Sequence, residues 1–234
     1  MPAKFWYDRT NGTRRRGTDP LTSERMGGEP VGRRRELTAR GERRLEALVD
    51  AAAALLEEGG FAAVSHRAVA KRAGLPLAAT TYYFSSLDEL VERALGRVAR
   101  RHLDHARVLA SSFPPVAPGS RVQPEELASR LIALVTGTRE PSVQAGMLPF
   151  PERCIQAGRR PRLRPPVGAW NAELAGLIAS ELERCGYPHQ GDLPRVLMAA
   201  VDGVVIDVLG SGVRDAPATA TAALAGLLTR LRAG

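Results

Sequence analysis

The stretch with the most chemical content runs from Ser65 to Phe84 and reads SHRAVAKRAGLPLAATTYYF. Its residue types suit contact with a polyanion more than bond-making. Ser65 and Arg67 stand at its start. Leu77, Ala78, Ala79 and Thr80 open a second short segment, and Thr81, Tyr82 and Tyr83 close it. Leu77, Ala78 and Ala79 carry no bidentate hydrogen-bonding groups. Base reading here is therefore expected to lean on thymine-methyl contacts, on Thr80 and on DNA shape. Arg43 and Arg44, upstream, are candidates for a flanking phosphate. A second set of candidates lies further on. His102 and His105 sit three residues apart, with Met147, Phe150, Glu152, Cys154, Trp170, Leu174 and Asp202 beyond them. Asp202 interrupts an apolar run and needs a partner if buried, for which Arg153 is a candidate. The two histidines have metal-ligand spacing, but no cysteine or carboxylate cluster accompanies them, so neither metal nor cofactor is expected. The chain has no phosphate-binding glycine loop, no G-x-S-x-G and no H-E-x-x-H, which argues against an enzyme.

The elements that position these residues read as helices throughout. Apolar residues recur at helical spacing over 39–58, where Thr38 is the expected N-cap and Gly59-Gly60 the stop. Ser65 caps a short helix to Ala73. Gly74 supplies a positive φ for a tight turn, and a second short helix runs to about Tyr83. Ala70 is the small residue at the crossing, with Val69, Ala73 and Leu75 on the inner faces. Ser86-Leu87-Asp88-Glu89 is a capping box opening a long helix to about Ser111, along whose inward stripe His102 and His105 are expected. Helical patterns resume at 124–138, 142–157, 166–185, 192–209 and 216–232. Pro149 and Pro151 are expected to kink or break the 142–157 segment. No alternating strand pattern occurs, so the fold class is all-α with about nine helices. Three parts are expected: a disordered basic arm over 1–37, a helix-turn-helix domain over 38–85, and a ligand-binding and dimerisation domain over 86–234.

Charge follows the same division. The net charge is +8, yet residues 1–44 alone hold 12 basic and 6 acidic side chains, while residues 45–110 hold 8 of each. A basic arm ahead of a neutral domain fits either DNA or a solvated tail. Met26 is an alternative first residue, which mass spectrometry of the native N-terminus would test. Cys154 and Cys185 make no disulfide framework, and there is no apolar leader or membrane span, so a cytoplasmic protein is expected. The last two patterned segments, 192–209 and 216–232, are nearly uncharged. A helix without a charged outer face is expected to be covered on more than one side, which points to a two-fold, four-helix dimer interface.

The order of these features over 41–94, GERRLEALVDAAAALLEEGGFAAVSHRAVAKRAGLPLAATTYYFSSLDELVERAL, resembles the tetracycline-repressor (TetR) family. The resemblance implies a homodimer through its last two helices, double-stranded DNA as partner through an inverted-repeat operator, and a small-molecule effector held by the middle helices. It implies backbone or groove-edge contacts from Ser65 and Arg67, base contacts from residues 77–80, and phosphate contacts from Tyr82 and Tyr83. Three positions depart from the family's pattern: Thr80 stands for leucine, Thr81 for a tyrosine, and Leu87 for a phosphate-binding lysine. The alternatives to a ligand-released repressor are an architectural DNA-binding protein, a helical enzyme and a helical protein-interaction module.

Overall fold

The computed structural model describes residues 38–138, 149–212 and 215–233, with backbone only at 149–150, 209 and 231–233. The basic arm and Met147 lie outside the described residues. Among those described there are nine α-helices and no strand: α1 (Ala39–Gly59), α2 (His66–Ala73), α3 (Leu77–Tyr83), α4 (Leu87–Ser111), α5 (Pro124–Thr136), α6 (Pro149–Arg159), α7 (Arg164–Arg184), α8 (Leu193–Gly210) and α9 (Ala216–Ala233). Single 3-10 turns at Phe61–Ala63 and Pro161–Leu163 link α1 to α2 and α6 to α7.

Local chemistry sets most of the helix ends. The Thr38 side chain accepts a hydrogen bond from the Gly41 N–H at 3.2 Å, and Ser65 Oγ accepts one from Ala68 at 3.1 Å. Gly74 is left-handed, with φ 65° and ψ 29°, and the next residue, Leu75, donates its N–H back to Ala70 O at 3.0 Å. That closure turns the chain by a route other residues take only with strain. At α4, Ser86 Oγ accepts from the Glu89 N–H as a capping box requires. The Glu89 carboxylate, however, takes the N–H and hydroxyl of Ser85, one residue earlier than the motif predicts.

Three helix boundaries differ from the sequence expectation. α5 stops at Thr136 because Gly137 adopts φ 72°. α7 starts at Arg164, with Pro165 and Pro166 in its first turn, where a missing N–H costs nothing. α6 runs to Arg159, two residues past the expected end, and its described part begins at Pro149; residues 142–148, and with them the expected kink or break, lie outside the described residues.

One apolar core runs from α1 through α4 and α7 to α9. It includes Leu48, Val49, Leu56, Val69, Phe84, Leu90, Leu131, Trp170, Leu174 and Leu224. α4 packs along both α1 and α7. Its 25 residues span about 37 Å at the usual rise. Ion pairs flank the α1–α4 seam: Arg97 with Glu46 and, at 2.6 Å, with Asp50, and Arg101 with Asp50 at 2.7 Å. Each such surface pair contributes little, and the apolar seam between them holds the two helices together. α5 is buried on nearly all sides and carries Arg130 inside the protein, hydrogen-bonded at 3.0 Å to Glu181 of α7. No described helix is long and apolar enough to cross a membrane.

Within one chain, α9 is covered on one side only. One side is buried through Ala220, Leu224, Ala225 and Leu228, while Ala222, Ala223 and Gly226 remain exposed. His105 also departs from its expected inward position and is exposed. The buried stripe of α4 steps from Ala99 to Leu103, Ala106 and Leu109, and His105 falls beside it.

Candidate functional site

α3 presents its N-terminal turn and one flank to the outside. Leu77 is 54% exposed and Tyr82 66%, unusually high for large apolar side chains on a helix only seven residues long. Ala78 and Thr81 are exposed too, and Ala79 is half-buried. Across from them, Arg44 of α1 joins Leu75, Pro76, Ala78, Ala79, Tyr82 and Tyr83 around a depression of about 440 Å³. The Tyr82 and Tyr83 rings meet edge to face with centroids 4.9 Å apart. Tyr83 is half-buried against the core, so it supports Tyr82 from behind. Arg67 is exposed on α2. Arg43 is exposed, and its Nε donates to Ala39 O at 3.2 Å. Ser65 is exposed, though its hydroxyl oxygen already serves as the α2 cap.

Thr80 is the correction within this set. It is fully buried, and its hydroxyl donates to Leu77 O at 2.8 Å, so it faces the core and cannot address a base. The hydroxyl is satisfied one turn back within its own helix, which removes the usual cost of burying a polar group. The leucine-for-threonine departure noted in the sequence fits a core position.

The second constellation gathers on α4, α6, α7 and α8. Trp170 Nε1 donates to His102 Nδ1 at 3.0 Å. The Arg153 guanidinium lies over the Trp170 ring, 4.5 Å from its centroid. Through Nε and Nη2 it donates to Asn171 Oδ1 at 3.3 and 3.0 Å. Arg153 is fully buried. Burial lowers its pKa, and the Asp202 charge works in the opposite direction. Asp202 is partly buried; burial raises its carboxyl pKa, and Arg153 opposes the rise. Leu174 is buried alongside, and Cys154 is exposed next to Asn171. The sequence reading missed Asn171 and gave Arg153 only as a partner for Asp202. The available signal was Arg153 standing one helical turn before the buried Ala157.

Other candidates fall elsewhere. Glu152 packs against Gly60, where a Cβ would collide with its carboxylate. It therefore lies at the junction with the α1–α2 turn and not beside Trp170. Nearby, Arg160 reaches Asp88 at 3.4 Å and lies 5.9 Å from the Phe61 ring centroid. Phe150 is described as backbone only. No trio of metal-type ligands occurs among the described residues.

His102 makes a pH prediction. Burial first, then the charges of Arg153 and His105, hold its pKa down at about 3. In the unfolded chain it titrates near 6.5. A depressed pKa means the unfolded state takes up the proton first, so the contribution to stability is complete above pH 6.5. It declines by about 1.4 kcal/mol per pH unit as pH falls from 6.5 towards 3. Urea midpoints at pH 7 and pH 4.5 should therefore differ less in His102→Gln than in the parent chain. Equal differences would remove this account.

Two family models match the chain: bacterial regulatory proteins of the tetR family over residues 48–94, and a tetracyclin repressor-like C-terminal domain over 122–230. Among solved structures, the multidrug binding protein EbrR complexed with proflavin is 28% identical, with a TM-score of 0.56, covering 79% of this chain and 99% of that one. A TetR-family member from Streptomyces coelicolor A3, SCO1917, is also 28% identical, with a TM-score of 0.53 over 79% of this chain and 97% of its own. A putative regulator from Saccharomonospora viridis in complex with choline shares the fold at 17% identity and a TM-score of 0.61, covering 80% and 96%. No curated protein sequence matches the chain.

Proposed function

This chain belongs to the tetR family of bacterial regulatory proteins, and from that premise we propose that it is a homodimeric repressor released from an inverted-repeat operator by a small molecule. The observation that carries the proposal is the outward face of α3: exposed Leu77, Ala78, Thr81 and Tyr82, with Arg44 across the depression. A short helix entering a major groove uses its first turn on base edges, while residues behind it hold phosphates and set register. Leu77 and Ala78 would meet thymine methyls, Ala79 would let the helix come close, and Arg44 and Tyr82 would take phosphates. Arg43, Ser65, Arg67, Thr81 and Tyr83 flank that footprint.

Dimerisation would supply the second α3. The supporting feature is a continuous exposed row on α8, Val196, Ala199, Gly203 and Ile206, beside Ala222, Ala223 and Gly226 of α9. Small residues between larger apolar ones let two helix pairs approach closely around a two-fold axis. Such a dimer presents two recognition helices, and the operator would be an inverted repeat in the cytoplasm.

The effector would bind beside His102, Arg153, Trp170, Leu174 and Asp202. The EbrR complexes with proflavin and ethidium support a small aromatic molecule as the effector. Release requires the effector to prefer a shape in which the recognition helices are badly spaced. α6 is suited to transmit the change. It carries Arg153 on one side and presses Glu152 against Gly60 of the DNA-binding end, while Arg160 just beyond it reaches Asp88 of α4.

Selection of genomic fragments by the purified protein, followed by footprinting, tests the reading, with protection of an inverted repeat as the expected outcome. Tyr82→Ala should weaken retention about tenfold on every fragment without changing the preferred sequence, because phosphate contacts add affinity and not specificity. Parent-like binding by that variant would remove Tyr82 from the footprint. Protection without any repeat would remove the dimeric operator.

A further inference from the structure

A cleft of about 390 Å³ lies beyond the C-terminal end of α4, between the loop that leads to α5 and the end of α7. It shares no residue with the cluster around Trp170. Local sequence builds its walls. Pro118 and Gly119 form the centre of a turn, closed by the Ser120 N–H on Ala117 O at 2.9 Å, with Gly119 at φ 76°. Gly186 follows α7 at φ 79°, and a Cβ there would come within 2.5 Å of Ser120 O. The missing side chain lets the loop sit this close to the helix end. The Val122 N–H donates to Cys185 O at 3.2 Å, and the Tyr187 hydroxyl donates to Val122 O at 3.0 Å. These bonds tie loop to helix, so the cleft is preformed.

A helix C-terminus by itself repels an anion. Here its carbonyls are already answered: Leu182 O by the Tyr187 N–H, Glu183 O by Gly186, Cys185 O by Val122, and Gly186 O by Arg121 Nε at 2.8 Å. What the cleft leaves unmet is donors. Arg121 engages only Nε; its guanidinium lies 5.1 Å from the Tyr187 ring centroid, and both Nη groups are unbonded. Arg184 engages Nη2, with Ala110 O at 2.7 Å and with Glu181, which leaves Nε and Nη1. The Ser120 hydroxyl is unbonded as well. Glu183 is the acid on the lining, but its side chain is 71% exposed and lies 3.5 Å from His189 Nε2, so water screens its charge.

We propose that this cleft is a second ligand site, which takes a phosphate group, free or esterified to a small molecule, on Arg121, Arg184 and Ser120. Two guanidinium edges and a hydroxyl offer more donors than the pair of oxygens of a carboxylate can use, whereas a phosphate brings at least three acceptor oxygens. The volume falls in the usual range for small-ligand sites, about 300–1,000 Å³, and leaves room for the body of an ester. Because Arg184 also holds Ala110 at the end of α4, the occupant braces α4 against α7.

Calorimetric titration of the full-length chain, without DNA, at neutral pH in physiological chloride, tests this with ribose 5-phosphate, inorganic phosphate, ribose and acetate. Ribose 5-phosphate is expected to bind about tenfold or more tightly than acetate, the usual size of one further hydrogen bond to a charged group, and ribose not at all. Ribose 5-phosphate ahead of inorganic phosphate identifies an ester as the ligand, and inorganic phosphate at or above it identifies the free ion; both support the site. Arg121→Gln should weaken the phosphate compounds about tenfold. Ser120→Glu sets a carboxylate in the anion's place and should abolish their binding. Both positions are exposed, so melting temperatures should stay at the parent value, and should one variant not fold the other decides. Undiminished phosphate binding in a folded variant would place the anion elsewhere on this basic chain and overturn the proposal. Acetate binding as tightly as the phosphates, or no binding of any of the four, would do the same. The outcome does not depend on the operator, so loss of this site leaves the regulator reading standing.

Discussion

Ala78→Glu is expected to lower operator affinity about a hundredfold or more while leaving the melting temperature unchanged. Ala78 is exposed, at the second position of α3, on the rim of the depression shared with Arg44 and Tyr82. A longer side chain there meets no core. A carboxylate in a helix's first turn is mildly favourable for the helix, so folding is not at risk. Against DNA the same carboxylate would face phosphates and the electronegative groove edge, where like charges brought together cost several kcal/mol. Ala78→Gln, of nearly the same size and uncharged, should stay within a few-fold of the parent and is the control for bulk. Fluorescence anisotropy with the selected operator and thermal melts by circular dichroism give both readouts. Operator binding of Ala78→Glu at parent strength would take α3 out of the interface altogether.

Arg130→Ala should be the most destabilising single change in the C-terminal helices, at about 3–5 kcal/mol. Arg130 and Glu181 are 3% and 2% exposed, and they meet at 3.0 Å. Arg130 also donates to Pro114 O at 3.0 Å and pairs with Glu126. On the other side, Glu181 accepts from Arg184 and, at 3.2 Å, from the Cys185 thiol, whose pKa burial pushes up to about 12. Removing the guanidinium leaves Glu181 in the interior with Arg184 as its remaining cationic partner. The double change Arg130→Met, Glu181→Leu should recover much of the loss, because it removes both charges and keeps the volume. Urea unfolding of the two single variants and the double one measures the coupling. A loss below about 1 kcal/mol in Arg130→Ala would mean the pair is a bystander.

The places where structure and sequence disagree share one cause. The resemblance implies an outward Thr80 among the base-facing positions, yet Thr80 lies four residues before Phe84 and both are buried. Periodicity outranked polarity because the hydroxyl could be answered inside its own turn. His105 is expected inward as the continuation of the Val98–His102 row, whereas the buried stripe runs one position on, through Ala99, Leu103, Ala106 and Leu109, and leaves His105 beside it. Glu152 is one of the expected ligand-binding residues of the middle helices. Adjacent residues on a helix face different ways, and Glu152 faces Gly60.

What was legible from residue order alone was whatever depends on neighbours within about four positions: the caps at Thr38, Ser65 and Ser86, the left-handed turn at Gly74, the two short helices around it, and the prolines that open α5 and α7. Those interactions close within one helical turn, so the local chain contains both partners. The placement of charge in the interior was not legible. Arg130 meets Glu181 across 51 positions, Trp170 meets His102 across 68, and Arg153 is buried only because α7 lays Trp170 and Asn171 against it. Whether a polar group in the interior is a liability or a site depends on what a distant helix sets opposite it, and only the packed fold decides that.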